Sequence, residues 1–309
     1  MTRADAAARD TALYDTHAHF FSSDIQRYPI DTTNAREGEE NLRRRIQSEP
    51  ATPESIFGLW DANGVAGGVA VQYNTVYKKD NRYLLDVAEA HADRITPVVM
   101  LDATAADTPA TLARYVAERG VVGLRLFGRA DENGAYPWLD SPAALETWKV
   151  ADRLALSMVV MYAPAQVTPA ALERIAELAE RFPATTIALD HFAWAGAQAG
   201  DAGVPAPLVK MREHRNVYYK LTTINFHMFE RAGIDSAQFV RCAADIFGAD
   251  HLMWGSDVGN TLEEYASMAH RARMAAALLT PEERRLFLHD TGARLFARRD
   301  RKSRIGEFA

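Results

Sequence analysis

The segment DTHAHF carries two histidines, His17 and His19, two positions apart. Residues two apart on a strand project to the same side, so this pair offers two imidazoles to one point. Near the other end of the chain a carboxylate, Asp257, follows a Gly-Ser turn in WGSD. Two neutral imidazoles and one carboxylate form a three-ligand zinc-type set that leaves a position for water. Such an ion lowers the pKa of that water, and Asp257 can take its proton. Histidine is a common ligand, not an obligate one, so two strand histidines that merely fill space are the alternative. The distant Asp257 weighs against it.

Other ionisable groups stand at the ends of short apolar runs: Arg125 in GLRLFG, His191 in LDHF and Lys220 in YYKL. An unpaired charge inside a core is strongly disfavoured, so their recurrence there argues for use. For Arg125 and Lys220 the favoured reading is capture of a substrate carboxylate, bidentate on the guanidinium. The alternative is an ion pair at a barrel end, with Asp102 or Asp190. Tyr162, in MVVMYAP, either donates to a substrate oxygen or packs, and Arg129 is a weaker loop candidate. Trp194 alone among the tryptophans follows a site strand closely.

The elements that must position these groups are legible as eight near-continuous apolar runs: 12–20, 65–73, 95–101, 121–127, 157–163, 185–192, 217–223 and 251–257. Such runs suit parallel strands covered on both faces. Helical patterns lie between them. TPATLARYVAERG starts on Thr108 and stops at Gly120, TPAALERIAELAERFP is stopped by Pro183, and Thr280 with Glu283 forms a capping box. Strands alternating with helices predict a single-domain (β/α)8 TIM barrel, whose site lies at the strand C-termini. An open doubly wound sheet is disfavoured, because no Gly-rich turn follows the first strand. Residues 21–63 read as an elaborated loop over the mouth and 297–309 as a basic tail, with Arg294, Arg298, Arg299, Arg301, Lys302 and Arg304 in a solvated final turn.

DTHAHF, LDHF, WGSD and LHDTGARLFA, in this order, resemble the amidohydrolase superfamily, and more narrowly its amidohydrolase-2 branch of lactonases and decarboxylases. The resemblance runs from Tyr14 to Phe296. It implies hydrolysis of a carboxylate-bearing lactone, of sugar-acid or pyrone type, with Asp257, His191, His17 and His19 as the catalytic set. Tyr28, Gln72, Tyr73 and Asn74 match mouth-lining positions of the lactonase-like members. Two departures matter. Arg125 stands where two-metal members carry a bridging Lys or Glu, and Arg cannot be a ligand because it stays protonated. Tyr162 stands where many one-metal members carry a His. The resemblance therefore implies either no metal or one divalent zinc-type ion on His17, His19 and Asp257.

The 309 residues hold 35 Lys+Arg against 41 Asp+Glu, a formal charge of −6 that argues against nucleic acid as a partner. No run reaches the roughly 18 apolar residues of a membrane span, and the polar start lacks a leader's apolar stretch. A single Cys242 fits a reducing, cytoplasmic setting. The expected partner is a small anionic substrate, with a homo-oligomer, most simply an isologous dimer, as the default assembly. Three competing readings remain. A non-oxidative decarboxylase would release carbon dioxide and want a well-held metal. The deoxyribonuclease branch of metal enzymes expects a Glu at the fourth strand and a basic mouth. A barrel that only binds an acid predicts disrupted site residues. Asn225 and His227, after the seventh run, border the expected site.

Overall fold

The computed structural model describes residues 11–164, 167–195 and 204–298. All eight expected strands form: β1 (Leu13–Ala18), β2 (Val65–Val71), β3 (Ile95–Met100), β4 (Gly123–Gly128), β5 (Ser157–Tyr162), β6 (Thr186–Leu189), β7 (Val217–Thr222) and β8 (Leu252–Gly255). They pair in parallel in sequence order, the arrangement of a (β/α)8 barrel. Every residue of β3 and β7 is buried, as strands covered on both faces require. Alternation sorts their side chains into two layers. Val69, Val71, Val98, Val159, Ala188 and Met253 form one cluster with Leu295 and Phe296, while Ala70, Val99 and Val160 belong to the larger core.

The seam between first and last strands is closed mostly by side chains. Asp257 N donates to His17 O at 2.8 Å and His19 N to Val258 O at 2.9 Å. Below them the buried Asp15 carboxylate accepts from Ser256 N (2.8 Å), Ser256 Oγ (2.5 Å), Tyr265 Oη (2.9 Å) and His17 N (3.1 Å). A carboxylate taking several hydrogen bonds can replace a ladder where strand register fails. Gly255 permits the approach, since a Cβ there would lie 2.5 Å from His17 Cβ.

Residues 21–63 are not one loop. They hold α1 (Glu39–Ser48) and α2 (Pro53–Asn63), the second being the crossover that returns the chain to β2. Its start is fixed by the Thr52 side chain, which accepts from Ser55 N, and its end by Gly64 in the left-handed conformation. The weak periodicity of QSEPATPES hides that boundary. Around the barrel follow α3 (Arg82–Ala90), α4 (Thr108–Arg119), α5 (Pro142–Arg153), α6 (Pro169–Arg181), α7 (Thr223–Ala232), α8 (Ser236–Phe247) and α9 (Tyr265–Ala275). Thr168 caps α6, and Thr280 and Glu283 make their capping box. In α4 the cap position falls on Asp107, with Thr108 already helical.

The C-terminal arginines are only partly a solvated turn. Arg298 reaches in to donate to Ala88 O at 2.9 Å, and Arg294 donates to Asp250 O at 3.0 Å. Arg299, Arg301, Lys302 and Arg304 lie outside the described residues. Among the described residues no helix is long and apolar enough to cross a membrane.

Candidate active site

Four predicted catalytic groups from three strands meet at the C-terminal end of the barrel. His17 and His19 extend from β1, His191 follows β6, Asp257 follows β8, and all are buried. His17 Nε2 lies 3.6 Å and His19 Nε2 3.4 Å from Asp257 Oδ1. The His17 and His191 rings are 5.3 Å apart.

Backbone geometry at two positions presents these groups. Residues His191, Phe192, Ala193 and Trp194 all have positive φ, between 49° and 58°, in a left-handed turn. That conformation costs non-glycine residues about 1–2 kcal/mol each, so the surroundings must hold it. Asn225 Nδ2 donates to His191 O at 2.8 Å, and Trp194 Nε1 to Tyr162 O at 2.8 Å. Asp257 also has positive φ, and its Oδ2 accepts from Asn260 Nδ2 (2.8 Å) and Thr261 Oγ1 (2.6 Å).

Second partners fix the rings. The His19 Nδ1 atom is 2.9 Å from Val71 O, which can only accept, so the neutral ring carries its proton there and leaves Nε2 bare. Thr222 Oγ1 donates to Asn225 Oδ1 at 3.4 Å and so accepts from His191 Nδ1 at 2.7 Å. Burial pulls His17 well below its ordinary 6.5, with Lys220 adding and Asp190 opposing, and it takes His191 down to about 4. For Asp257 burial pushes upward, but the ring nitrogens of His19, His17 and His191 around it outweigh that and hold the carboxyl below its usual range. The cluster therefore favours the ionised form of Asp257 beside the neutral forms of His17 and His191.

The same geometry tests a metal. His17 Nε2 and Asp257 Oδ1 are buried without a hydrogen-bond partner, and His19 Nε2 offers Asp257 Oδ1 a lone pair facing a lone pair. Acceptors converging on one point repel unless a cation lies among them. His17, His19 and Asp257 have one ligand atom each within 4.8 Å of the others, and so do His17, Asp190 and His191. The donor set fits one divalent ion of the zinc type.

Arg125 and Lys220 are where the sequence put them but do not have the expected partner. Asp190 accepts from Arg125 Nε at 2.9 Å and lies 3.3 Å from Lys220 Nζ, in a site with almost no exposure. Burial raises the Asp190 carboxyl, yet Lys220, His17 and Arg125 together hold it well below the usual range. This is the ion pair weighed as the alternative, with Asp190 as the partner of both cations. The reason is that two cations buried this deeply require an anion of the protein's own.

The softer candidates divide. Tyr73 joins the site: its ring stacks on His19 at 4.7 Å and its hydroxyl donates to Asn260 Oδ1 at 3.2 Å. Tyr162 does not, because its hydroxyl donates to Ala171 O of α6 and its ring packs on Tyr136 and Trp138. Tyr28 turns to α3, donating to Asp86 Oδ2 at 2.9 Å. Gln72 clamps the loop carbonyls of Lys78 and Asp80. Asn74 opens a short helical turn beside Tyr73, its carbonyl accepting from Lys78 N. Arg129 is exposed at the end of β4. His227 binds Glu263 at 2.9 Å.

Sequence reading passed over Asp15, Asn260 and Thr261 and gave Asp190 only as a counter-ion. Asp15 stands two before His17, on the same strand face, and Asn260 and Thr261 follow Asp257 at the three- and four-residue spacing of a capped turn. Those spacings were the available signals.

Comparison with known proteins agrees with this geometry. Residues 14–298 match the amidohydrolase family. The chain is 30% identical over 216 residues to an L-fucono-1,5-lactonase of Burkholderia ambifaria, covering 66% of this chain and 69% of that one. A protein of Pseudomonas putida assigned as a 2-pyrone-4,6-dicarboxylic acid hydrolase has the same fold, with TM-score 0.68 and 23% identity over 93% of this chain and 97% of that one. So does an amidohydrolase of Burkholderia multivorans with bound zinc, with TM-score 0.66 and 21% identity over 93% and 100%. A strand-one histidine pair, a histidine after strand six and an aspartate after strand eight, set in this barrel and matched over nearly its whole length, place the chain in the amidohydrolase family of hydrolytic enzymes.

Proposed function

We propose that the chain opens a carboxylate-bearing lactone of the sugar-acid or pyrone type with an activated water. The observation that carries this reading is Asp257, whose Oδ1 faces the imidazoles of His17 and His19 while Oδ2 is tied down by Asn260 and Thr261. Such a carboxylate has one free oxygen aimed at the cluster, as a general base needs. The lactonase relative from Burkholderia ambifaria supports opening of a sugar-acid lactone.

His17, His19 and Asp257 are the residues to hold a divalent ion. When bound, it would supply water activation and polarisation of the ester carbonyl. The chain's own groups account for the proton. Asp257 takes it from the attacking water as the new C–O bond forms. It returns it to the ring oxygen as the ester C–O bond breaks, giving the hydroxy acid. His191, fixed by Thr222 and Asn225, keeps Nε2 as an acceptor that orients that water.

The test is a screen of sugar and pyrone carboxylactones followed by proton release, with metal analysis of the freshly purified protein. Asp257→Asn is expected to lower kcat by roughly a thousandfold while substrate still binds. Near-normal turnover by that variant refutes the role of Asp257. Carbon dioxide release in place of acid from the panel assigns decarboxylation instead.

A further inference from the structure

Beside the buried cluster lies a cavity of about 270 Å³ that includes Tyr73, Asn260 and Thr261 in its lining. Tyr73 covers His19, and Asn260 and Thr261 hold the candidate base, so this cavity adjoins the reacting groups. Its remaining lining includes Arg36, from the excursion between β1 and β2, and His227 and Arg231 from α7. We propose that Arg36 and Arg231 form the subsite that takes the anionic group of the substrate, and so set the preference for acid lactones over neutral ones. The inference rests on the lactone-hydrolase reading above.

The charges around the cavity decide it. Glu37, the one carboxylate in the lining, is held by Arg45 at 2.6 and 3.2 Å. His227 is bonded to Glu263, which also accepts from Arg271 at 2.9 Å. Arg36 and Arg231 have no hydrogen bond or ion pair through their side chains among the described residues. The wall thus carries two uncompensated guanidiniums. The deeper cations, Arg125 and Lys220, face Asp190 and do not line this cavity. A lone exposed arginine is ordinary surface. Two unpaired ones on a concave wall, next to residues bonded to the catalytic carboxylate, are a carboxylate site in chemistry and in place. The expected ligand is a lactone whose carboxylate sits away from the ester carbonyl.

The test uses a matched pair, galactaro-1,4-lactone and galactono-1,4-lactone, which differ by a carboxylate in place of a hydroxymethyl group. For the full chain and for Arg36→Ala and Arg231→Ala, kcat/KM is measured on both. Each substitution is expected to cost about tenfold on the acid, mostly through KM, and to leave the neutral lactone unchanged. Equal losses on both lactones, or no loss on the acid, overturn the subsite. Calorimetry of galactaro-1,4-lactone binding to the Asp257→Asn chain, with and without each arginine, reads the subsite without turnover. If the wild-type chain hydrolyses neither lactone, this arm still decides. A tenfold weaker binding without either arginine upholds the subsite while the hydrolase reading fails for this pair. Absence of acid binding, or binding indifferent to both arginines, overturns it.

Discussion

Two pairs of cations in this barrel meet opposite fates. Arg125 and Lys220, on β4 and β7, are buried against Asp190, whereas Arg36 and Arg231 at the mouth have no side-chain partner among the described residues. Water makes the difference. A cation removed from solvent demands an anion from the chain itself, and once satisfied it has little left for a ligand. A solvated cation needs no such partner and stays available. Residue type alone does not separate a structural ion pair from a binding site; depth does.

The contrast can be broken most forcefully at its buried end. Asp190→Asn leaves two cations without their counter-ion and is expected to cost about 3–5 kcal/mol, read as a fall in Tm on the order of 10 °C by circular dichroism. Unchanged stability would show that Arg125 and Lys220 have another sink for their charge. Next comes Tyr162→Phe, which removes a buried hydroxyl from Ala171 O. A loss of about 1 kcal/mol with kcat intact is expected, and a fall in kcat would return Tyr162 to the site. A partly exposed pair gives an intermediate case. Glu283, bound by Arg241 and by the Thr280 N–H, has its carboxyl lowered from 4.5 to about 2. A depressed carboxyl stabilises the fold above its unfolded pKa and loses that contribution as pH falls through the folded one. Glu283→Gln is therefore expected to lose about 1 kcal/mol or less near neutrality. Its difference from the parent chain should fade between pH 4.5 and about 2 in denaturant titrations. Smallest of all, Arg36→Ala and Arg231→Ala should move stability by no more than about 0.5 kcal/mol. A larger change would mean that the mouth arginines also hold the fold.

Much of the architecture was legible because each strand declared itself as an apolar run and three of the helical segments carried a cap or a stop. The excursion 21–63 was the exception. Its α1 has a half-charged sequence, EENLRRRIQS, that buries only Leu42 and Ile46, too few apolar positions to announce a helix. The catalytic set was legible because ionisable side chains inside apolar runs are costly and conspicuous. Its supports were not. Asp190 adjoins His191 and was weighed only as one of two counter-ions, and only the fold shows that it lies within reach of both Arg125 and Lys220. Which of the two readings of Tyr162 the fold favours was hidden for a related reason: strand alternation decides which way it points, and that register follows from pairing, not from its own segment.

The Asp15 seam joins positions some 240 residues apart, so His17 and Asp257 become neighbours only when the last strand docks against the first. Any intermediate lacking β8, whether still being synthesised or locally opened, holds a histidine pair without its carboxylate and a barrel with two raw edges. Competence for chemistry is thereby made a late event, tied to completion of the ring. Zippering of Ser256 onto Asp15 is the step at which a folded scaffold becomes a working one.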